Sequence, residues 1–209
     1  KNTYFKIKDG IGSIDLGDFG PIGKDTFKFE GNFNGNFNEL IINSKNTQSS
    51  FGLFAHLAGR VENLIISGTM ESTGSYGGVV AGKVTNGTIS NVFVNANIKG
   101  ANYIGGIVGQ LQGGLIEKSV HYGTVEGLNY VGGILGHLHT GTVSNVYSRS
   151  NIIGNAYVGG IVGHAYLYSR ISSSVYTQNN INHTYSASYV SSKNTYVGGI
   201  VGYADPTRY

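Results

Sequence analysis

His137 and His164 hold equivalent places in successive copies of a repeat, with His139 beside the first. Imidazoles repeated at one interval would gather on one face, where they could bind a metal ion or respond to pH. The same column holds His56, Lys83, Gln110 and, in the last copy, Tyr203. Lys and Gln in that series favour another reading, a polar strip facing solvent just after a glycine corner. On that reading the column needs no metal and the chain no cofactor.

Carboxylates are the groups with which extended β proteins cleave polysaccharides, as acid–base pairs or as calcium ligands. The chain has only 11 acids. Asp9, Asp15, Asp18, Asp25 and Glu30 crowd the N-terminal region, and no acid lies between Gly127 and Ala204. Glu117 and Glu126 lie within one coil, and they read more simply as solvated surface acids. With no cysteine there is no thiol nucleophile, thiolate metal site or disulfide. No His-Glu-x-x-His occurs. The expectation is a chain without a catalytic site.

Tyrosine offers a different chemistry, that of ring faces. Tyr76, Tyr103, Tyr130 and Tyr157 recur at a constant spacing of 27, and Tyr196 follows after 39. Stacked along a repeat they form a structural ladder if half-buried, or a platform for sugars or a protein if exposed. The wider last interval implies an insertion of a dozen residues, expected within 172–195. Loops on a rigid scaffold often carry recognition, and this region is rich in tyrosine. Tyr166, Tyr168, Tyr176, Tyr185 and Tyr189 are therefore the binding candidates, beside the alternative of a merely tolerated insertion. Asn86-Gly-Thr88 and Asn182-His-Thr184 match the glycosylation sequon, a frequent coincidence in an Asn-rich chain.

Each repeated tyrosine opens a phrase: YGGVVAG, YIGGIVG, YVGGILG, YVGGIVG and again YVGGIVG. Gly82, Gly109, Gly136, Gly163 and Gly202 close these phrases. Further columns keep the period: Ile89, Ile116 and Val143; Phe93, Val120 and Tyr147; Ile98, Val125 and Ile152. Glycines interrupt every stretch long enough for a helix, while Ile, Val, Thr, Tyr and Phe fill short runs between turn residues. A coil of about 27 residues holds three short strands and three turns, and is too short for a propeller blade. The predicted fold is all-β, a parallel right-handed β-helix (β-solenoid) with Ile and Val inward. Glycines should supply positive φ at corners and close approach between coils. Residues 1–50 lack the regular register and are expected to form irregular coils and a cap, with repeats over 51–209. A degenerate copy at Gly52-Leu-Phe-Ala55 is offset by about one residue.

Composition sets the partners. A net charge of +3, without a run of Lys or Arg, argues against nucleic acid. Apolar runs such as Tyr130 to Gly136 are too short to enter a bilayer. Mixed residues such as Ala96, Gly123 and Ser150 in one column argue against a regular hydroxyl array for ice. A monomer is expected, with a host protein or glycan as its partner. Both ends read as interior to a longer chain.

These columns resemble the GLUG motif of bacterial secreted and cell-surface proteins. The likeness rests on Tyr103-Ile-Gly-Gly-Ile-Val-Gly109 with Gly114-Leu-Ile116, and on Tyr130-Val-Gly-Gly-Ile-Leu-Gly136 with Gly141-Thr-Val-Ser-Asn145. Upstream, Ile14-Asp-Leu16, Gly20-Pro-Ile-Gly23 and Phe29-Glu-Gly-Asn-Phe-Asn-Gly35 are similar to what precedes such repeats, with Asn34 in place of Asp and Ala55 in place of Gly. The resemblance implies a β-solenoid within large exported proteins, among them immunoglobulin A-cleaving metalloproteases and filamentous adhesin-like exoproteins, whose chemistry lies in another domain. It also implies a stalk or adhesive module, secreted or at the bacterial surface. A carbohydrate-binding or carbohydrate-active β-helix is the alternative.

Overall fold

Residues 92–99 read Val-Phe-Val-Asn-Ala-Asn-Ile-Lys, and every second side chain of this run is buried. Alternation with period two is the signature of a strand with one face on a core and the other in water. The computed structural model describes residues 3–170 and 176–208, and of 169–170, 176–177 and 207–208 the backbone alone. Among the described residues there is no helix.

The strands pair with their equivalents one coil on, in parallel. Ile116 sits between Ile89 and Val143, Val120 between Phe93 and Tyr147, and Val125 between Ile98 and Ile152. Each regular coil has three strand segments, as in Asn102–Gly105, Val108–Glu117 and Val120–Glu126. The first segments form a six-stranded sheet of their own, from Ser50–Phe51 to Val197–Gly198. At about 4.8 Å per step it extends roughly 24 Å along the axis. Inward side chains from all three faces join one apolar core running from Leu40 to Ala165. Each coil contacts mainly its two neighbours, so stability accumulates coil by coil.

The phrase glycines act by closeness. A Cβ on Gly109 would lie 2.5 Å from the Gly82 carbonyl oxygen and 2.7 Å from Gly77 N. Neither atom can move without parting the coils. Glycines carry the expected positive φ at other corners, as at Gly114, Gly123 and Gly141, and within the phrase the opening tyrosine carries it, at Tyr103 (53°), Tyr130 (59°), Tyr157 (57°) and Tyr196 (65°). A left-handed conformation costs a non-glycine residue about 1–2 kcal/mol. The stacking of the rings offsets it.

Pairing places the coils of residues 1–50 on the same stack: Tyr4 pairs with Asn32 and Asn32 with Arg60, while Ser13 pairs with Glu39 and Glu39 with Ile65. The first series steps by 28 and the second by 26, a jitter that a fixed period of 27 hides. Glu39–Asn46 lies along Arg60–Ser72, so the sheet passes residue 50 without a break. The one-residue offset near Gly52 is present, with Ser50 opposite Tyr76.

The insertion moves. Leu138 pairs with Ala165, one ordinary period on, whereas Thr142 pairs with Asn180, a step of 38. Eleven residues are thus added between 165 and 180, and one more before Tyr196, instead of a dozen within 172–195. Residues 168–170 and 176–178 pair antiparallel, and residues 171–175 lie outside the described residues. Asn179 anchors this excursion. Its amide donates to the carbonyls of His139 and Tyr166, each at 2.8 Å, and its Oδ1 accepts from Gly141 N at 2.8 Å.

Candidate functional site

The first-face tyrosines form one continuous stack. Ring centroids are 4.9 Å apart for Tyr76–Tyr103, 4.7 Å for Tyr103–Tyr130, 4.8 Å for Tyr130–Tyr157 and 4.9 Å for Tyr157–Tyr196, all within 13° of parallel. Four of the five rings are half-buried, and only Tyr196 at the end of the stack is exposed. This is the geometry of a structural ladder.

Beneath it lies the histidine column, which sequence spacing places in solvent. It is buried: His137 is 5% exposed, His56 6%, His164 7% and Gln110 8%. The left-handed tyrosines pack their rings over the column: His137 lies 5.5 Å from Tyr103 and His164 5.5 Å from Tyr130. His137 and His164 stack at 5.0 Å, as one coil step requires. Gln110 Nε2 donates to His137 Nδ1 at 3.1 Å, whereas His137 Nε2 and His164 Nδ1 have no hydrogen-bond partner. Burial, with the neighbouring His164 and His139, pushes His137 down to about 3. Burial also lowers His164, against the pull of Asp205. These rings stay neutral and act as aromatic filler. Among the described residues no group of three potential ligands could hold a metal ion.

At the N-terminal end the column meets a polar chain that sequence spacing did not reveal. His56 Nδ1 donates to Asp25 Oδ1 at 3.3 Å, and its Nε2 accepts from the Thr85 hydroxyl at 2.8 Å. Lys83 Nζ lies 3.0 Å from Asp25 Oδ2 and 4.1 Å over the Tyr76 ring. Partial burial opposes ionisation of Asp25, but Lys83 and His56 outweigh it and hold the carboxyl below its usual range. Burial and the charge of Lys28 lower His56, so a neutral imidazole relays between carboxylate and hydroxyl. Carboxylate, imidazole and hydroxyl in this order can activate a nucleophile. Here the residues come from three successive coils, and the Lys83 ion pair neutralises the carboxylate. The arrangement works as a clamp between coils.

A second polar group lies wholly inside. His121 Nε2 donates to the Ala96 carbonyl at 3.1 Å, and its Nδ1 meets the Ser150 hydroxyl at 2.7 Å. Ser148, Ser150 and Ser188 continue the chain at 3.0–3.1 Å. Burial lowers His121 to about 4. The second glycine of the later phrases makes room for this column: a Cβ on Gly106 would strike the His121 ring, and one on Gly133 the Ser148 hydroxyl.

The tyrosine candidates do not gather in one place. Tyr166 packs edge-on against His137, His139 and His164 at 5.1–5.4 Å. Tyr168 lies in the antiparallel pair, and the side chain of Tyr176 lies outside the described residues. Tyr185 and Tyr189 belong to a regular coil instead of the insertion, paired with Tyr147 and Asn151. Both are exposed on the third face. There Tyr185 ends a run of rings that the regular columns miss: Phe93–Tyr122 at 5.4 Å, Tyr122–Tyr147 at 5.9 Å and Tyr147–Tyr185 at 5.3 Å. Tyr122 sits two residues past its column, so a ring from one coil fills between its neighbours. Outward alternation along each strand was the signal that could have found it.

The carboxylates disperse. Glu117 accepts from Ser90 at 3.2 Å, while Glu126 pairs with Lys99 at 2.7 Å. Neither faces a second acid in these contacts.

No family model and no curated protein matches the chain. Among solved structures, it is similar to a protein of Bacteroides ovatus named "putative immunoglobulin A1 protease", at 18% identity and a TM-score of 0.72. The match covers 98% of this chain and 78% of that one, and it shows a shared β-solenoid fold.

Proposed function

We propose that this chain is a non-catalytic spacer and binding module of an exported bacterial protein of the GLUG type, secreted or held at the cell surface. The observation that carries the reading is how the polar chemistry is used. The imidazoles, the Asp25–His56–Thr85 relay and the His121 serine group all join one coil to the next. Among the described residues they leave no cluster open to a substrate. A stack whose polar groups serve cohesion suits a stiff support that holds another domain at a distance. The similarity to the Bacteroides ovatus protein supports attachment to a protease, as does the GLUG resemblance.

Stiffness is measurable because the chain has no cysteine to compete for label. Asn43 and Asn151 are exposed in one column, four coil steps apart through Thr69, Asn97 and Thr124. Spin labels on Asn43→Cys/Asn151→Cys should give a narrow distance distribution near 20 Å, about four steps of 4.8 Å. A broad distribution would remove the spacer reading. Cleavage of immunoglobulin A or of polysaccharides by this chain, lost on Glu117→Gln, Glu126→Gln or Thr85→Val, would replace it with an enzyme. A carbohydrate-binding role is a second reading, favoured by the exposed rings of the third face.

A further inference from the structure

Of the aromatic rows, the first-face ladder covers a buried column and is half-buried itself. The row on the third face has no such duty. Phe93 is 41% exposed, Tyr185 63% and Tyr189 71%. Between them Tyr122 and Tyr147 complete a strip across four successive coils. The strand alternation that buries Val94, Ala96 and Ile98 points Phe93, Asn95, Asn97 and Lys99 outward, so amides lie beside the rings. Asn97 Oδ1 accepts from Thr124 N at 2.8 Å, which ties one coil's amide to the next coil's backbone.

The charges on this face are largely spent on each other. Lys45 pairs with Glu71 at 3.2 Å and Lys99 with Glu126 at 2.7 Å, forming a self-neutralised rail along the far edge of the strands. A depression of about 320 Å³ opens onto the rail itself, lined by Glu71, Lys99 and Glu126 together with Thr69, Asn97 and Thr124. Short of the Lys99–Glu126 pair, the described residues 93–97, 120–124 and 147–151 hold Arg149 as their one Lys or Arg and no acid.

We infer that this strip binds a neutral polysaccharide lying along the solenoid axis. Its sugars would pack their apolar faces along the exposed edges of the row Phe93, Tyr122, Tyr147 and Tyr185, since Tyr147 and Tyr185 stack face to face at 5.3 Å. Asn95, Asn97 and the Arg149 guanidinium would hydrogen-bond the hydroxyls. Aromatic rings alternating with amides match a ligand with apolar ring faces and a hydroxyl rim. A polyanion would meet a single cation there, and a nucleic acid would need many more. The inference rests on the reading of the chain as a binding rod and names the face and ligand class of that binding.

The test is an array of neutral oligosaccharides, including cellohexaose, laminarihexaose and mannohexaose, probed with the intact chain at low and high salt. The inference expects saturable, salt-insensitive binding to at least one of them. Phe93→Ala and Tyr185→Ala should each weaken it about fivefold, since one ring contact contributes about 0.5–1.5 kcal/mol. Tyr122→Phe should retain it, and Phe27→Ala, an exposed ring off the strip, should leave it unchanged. Thermal melting of each variant checks folding. No binding on the array overturns the inference, as does binding that the strip variants leave intact or that high salt abolishes. A protein captured through the strip without glycan binding would also overturn it. Cleavage of a bound oligosaccharide would instead overturn the non-catalytic reading and leave the stacking contacts standing.

Discussion

The coils before residue 100 and those after it fill the same interior column in opposite ways. In the earlier coils it holds Ile66 and Val94, both fully buried, and Val79 occupies the phrase position that packs against this column. In the later coils the column holds His121, Ser148 and Ser186, and the position facing it is Gly106, Gly133 or Gly160. An apolar side chain meeting a valine has become a polar one meeting a glycine. Two adjacent polar coils satisfy each other's hydrogen bonds, which a lone polar coil among apolar ones could not do. The double glycine is therefore the counterpart of a polar ladder across the coil.

Transplanting the earlier solution into the later coils should do the most damage. Gly133→Val places a Cβ 2.2 Å from the Ser148 hydroxyl and 2.3 Å from the Gly160 carbonyl oxygen. Backbone must move, so a loss of about 3 kcal/mol or more is expected, the upper end for overpacking. Urea unfolding would show it as a lower midpoint or as a chain that does not fold.

Acid should separate the two halves next. His121 and His137 have folded values of about 4 and about 3, below the ordinary histidine value. The unfolded chain binds protons first, so the stability these residues confer is complete above about pH 6.5. It is lost as the pH falls from there towards the folded values, on the order of 3 kcal/mol for each group. Melting curves between neutral pH and the folded value of His121 would show it. His137→Gln, which copies Gln110 in the same column, should flatten part of the slope.

His121→Val converts a later coil to the residue of the earlier one. It leaves the Ala96 carbonyl without its donor and Ser150 without the imidazole, at a cost of about 1–3 kcal/mol. A stabilised variant would show that the polar ladder is dispensable.

The opening tyrosine gives a smaller and more diagnostic effect. Tyr130→Ala and Tyr130→Gly both remove the ring contacts with Tyr103, Tyr157, His137 and His164, but φ is 59° there. Glycine relieves the left-handed strain, so Tyr130→Gly should be the more stable of the two by about 1 kcal/mol. That reverses the usual order of the two residues. Smallest of all, Glu71→Gln breaks an exposed ion pair and should change stability by less than about 1 kcal/mol.

Much of the fold was legible because a solenoid writes its contacts into a period. Like residues stack on like, so Ile89, Ile116 and Val143 announce their pairing without any structure. The same logic failed where the spacing wavers. Steps of 28 on one face and 26 on another hid the coils before Ser50, and a fixed column assigns Tyr185 and Tyr189 to the insertion. Burial of the histidines was illegible for another reason. Tyrosine rings on a left-handed backbone pack over His137 and His164, a conformation that no composition rule assigns to tyrosine. The third-face strip escaped because Tyr122 is staggered from the Phe93 column and fills the gap from the neighbouring coil.

One period of the repeat makes one complete coil, cohesive with any compatible neighbour. Removing residues 130–156 would place the coil that begins at Tyr157 directly on the one that begins at Tyr103. His121 would then meet Ser186 and Ser188 in place of Ser148 and Ser150. Circular dichroism and thermal melting should show a folded, cooperative β protein, with a modestly lower midpoint. Removal of residues 130–149, which breaks the period, should abolish that transition. Equal collapse of both deletions would show that a single period is not a self-sufficient coil.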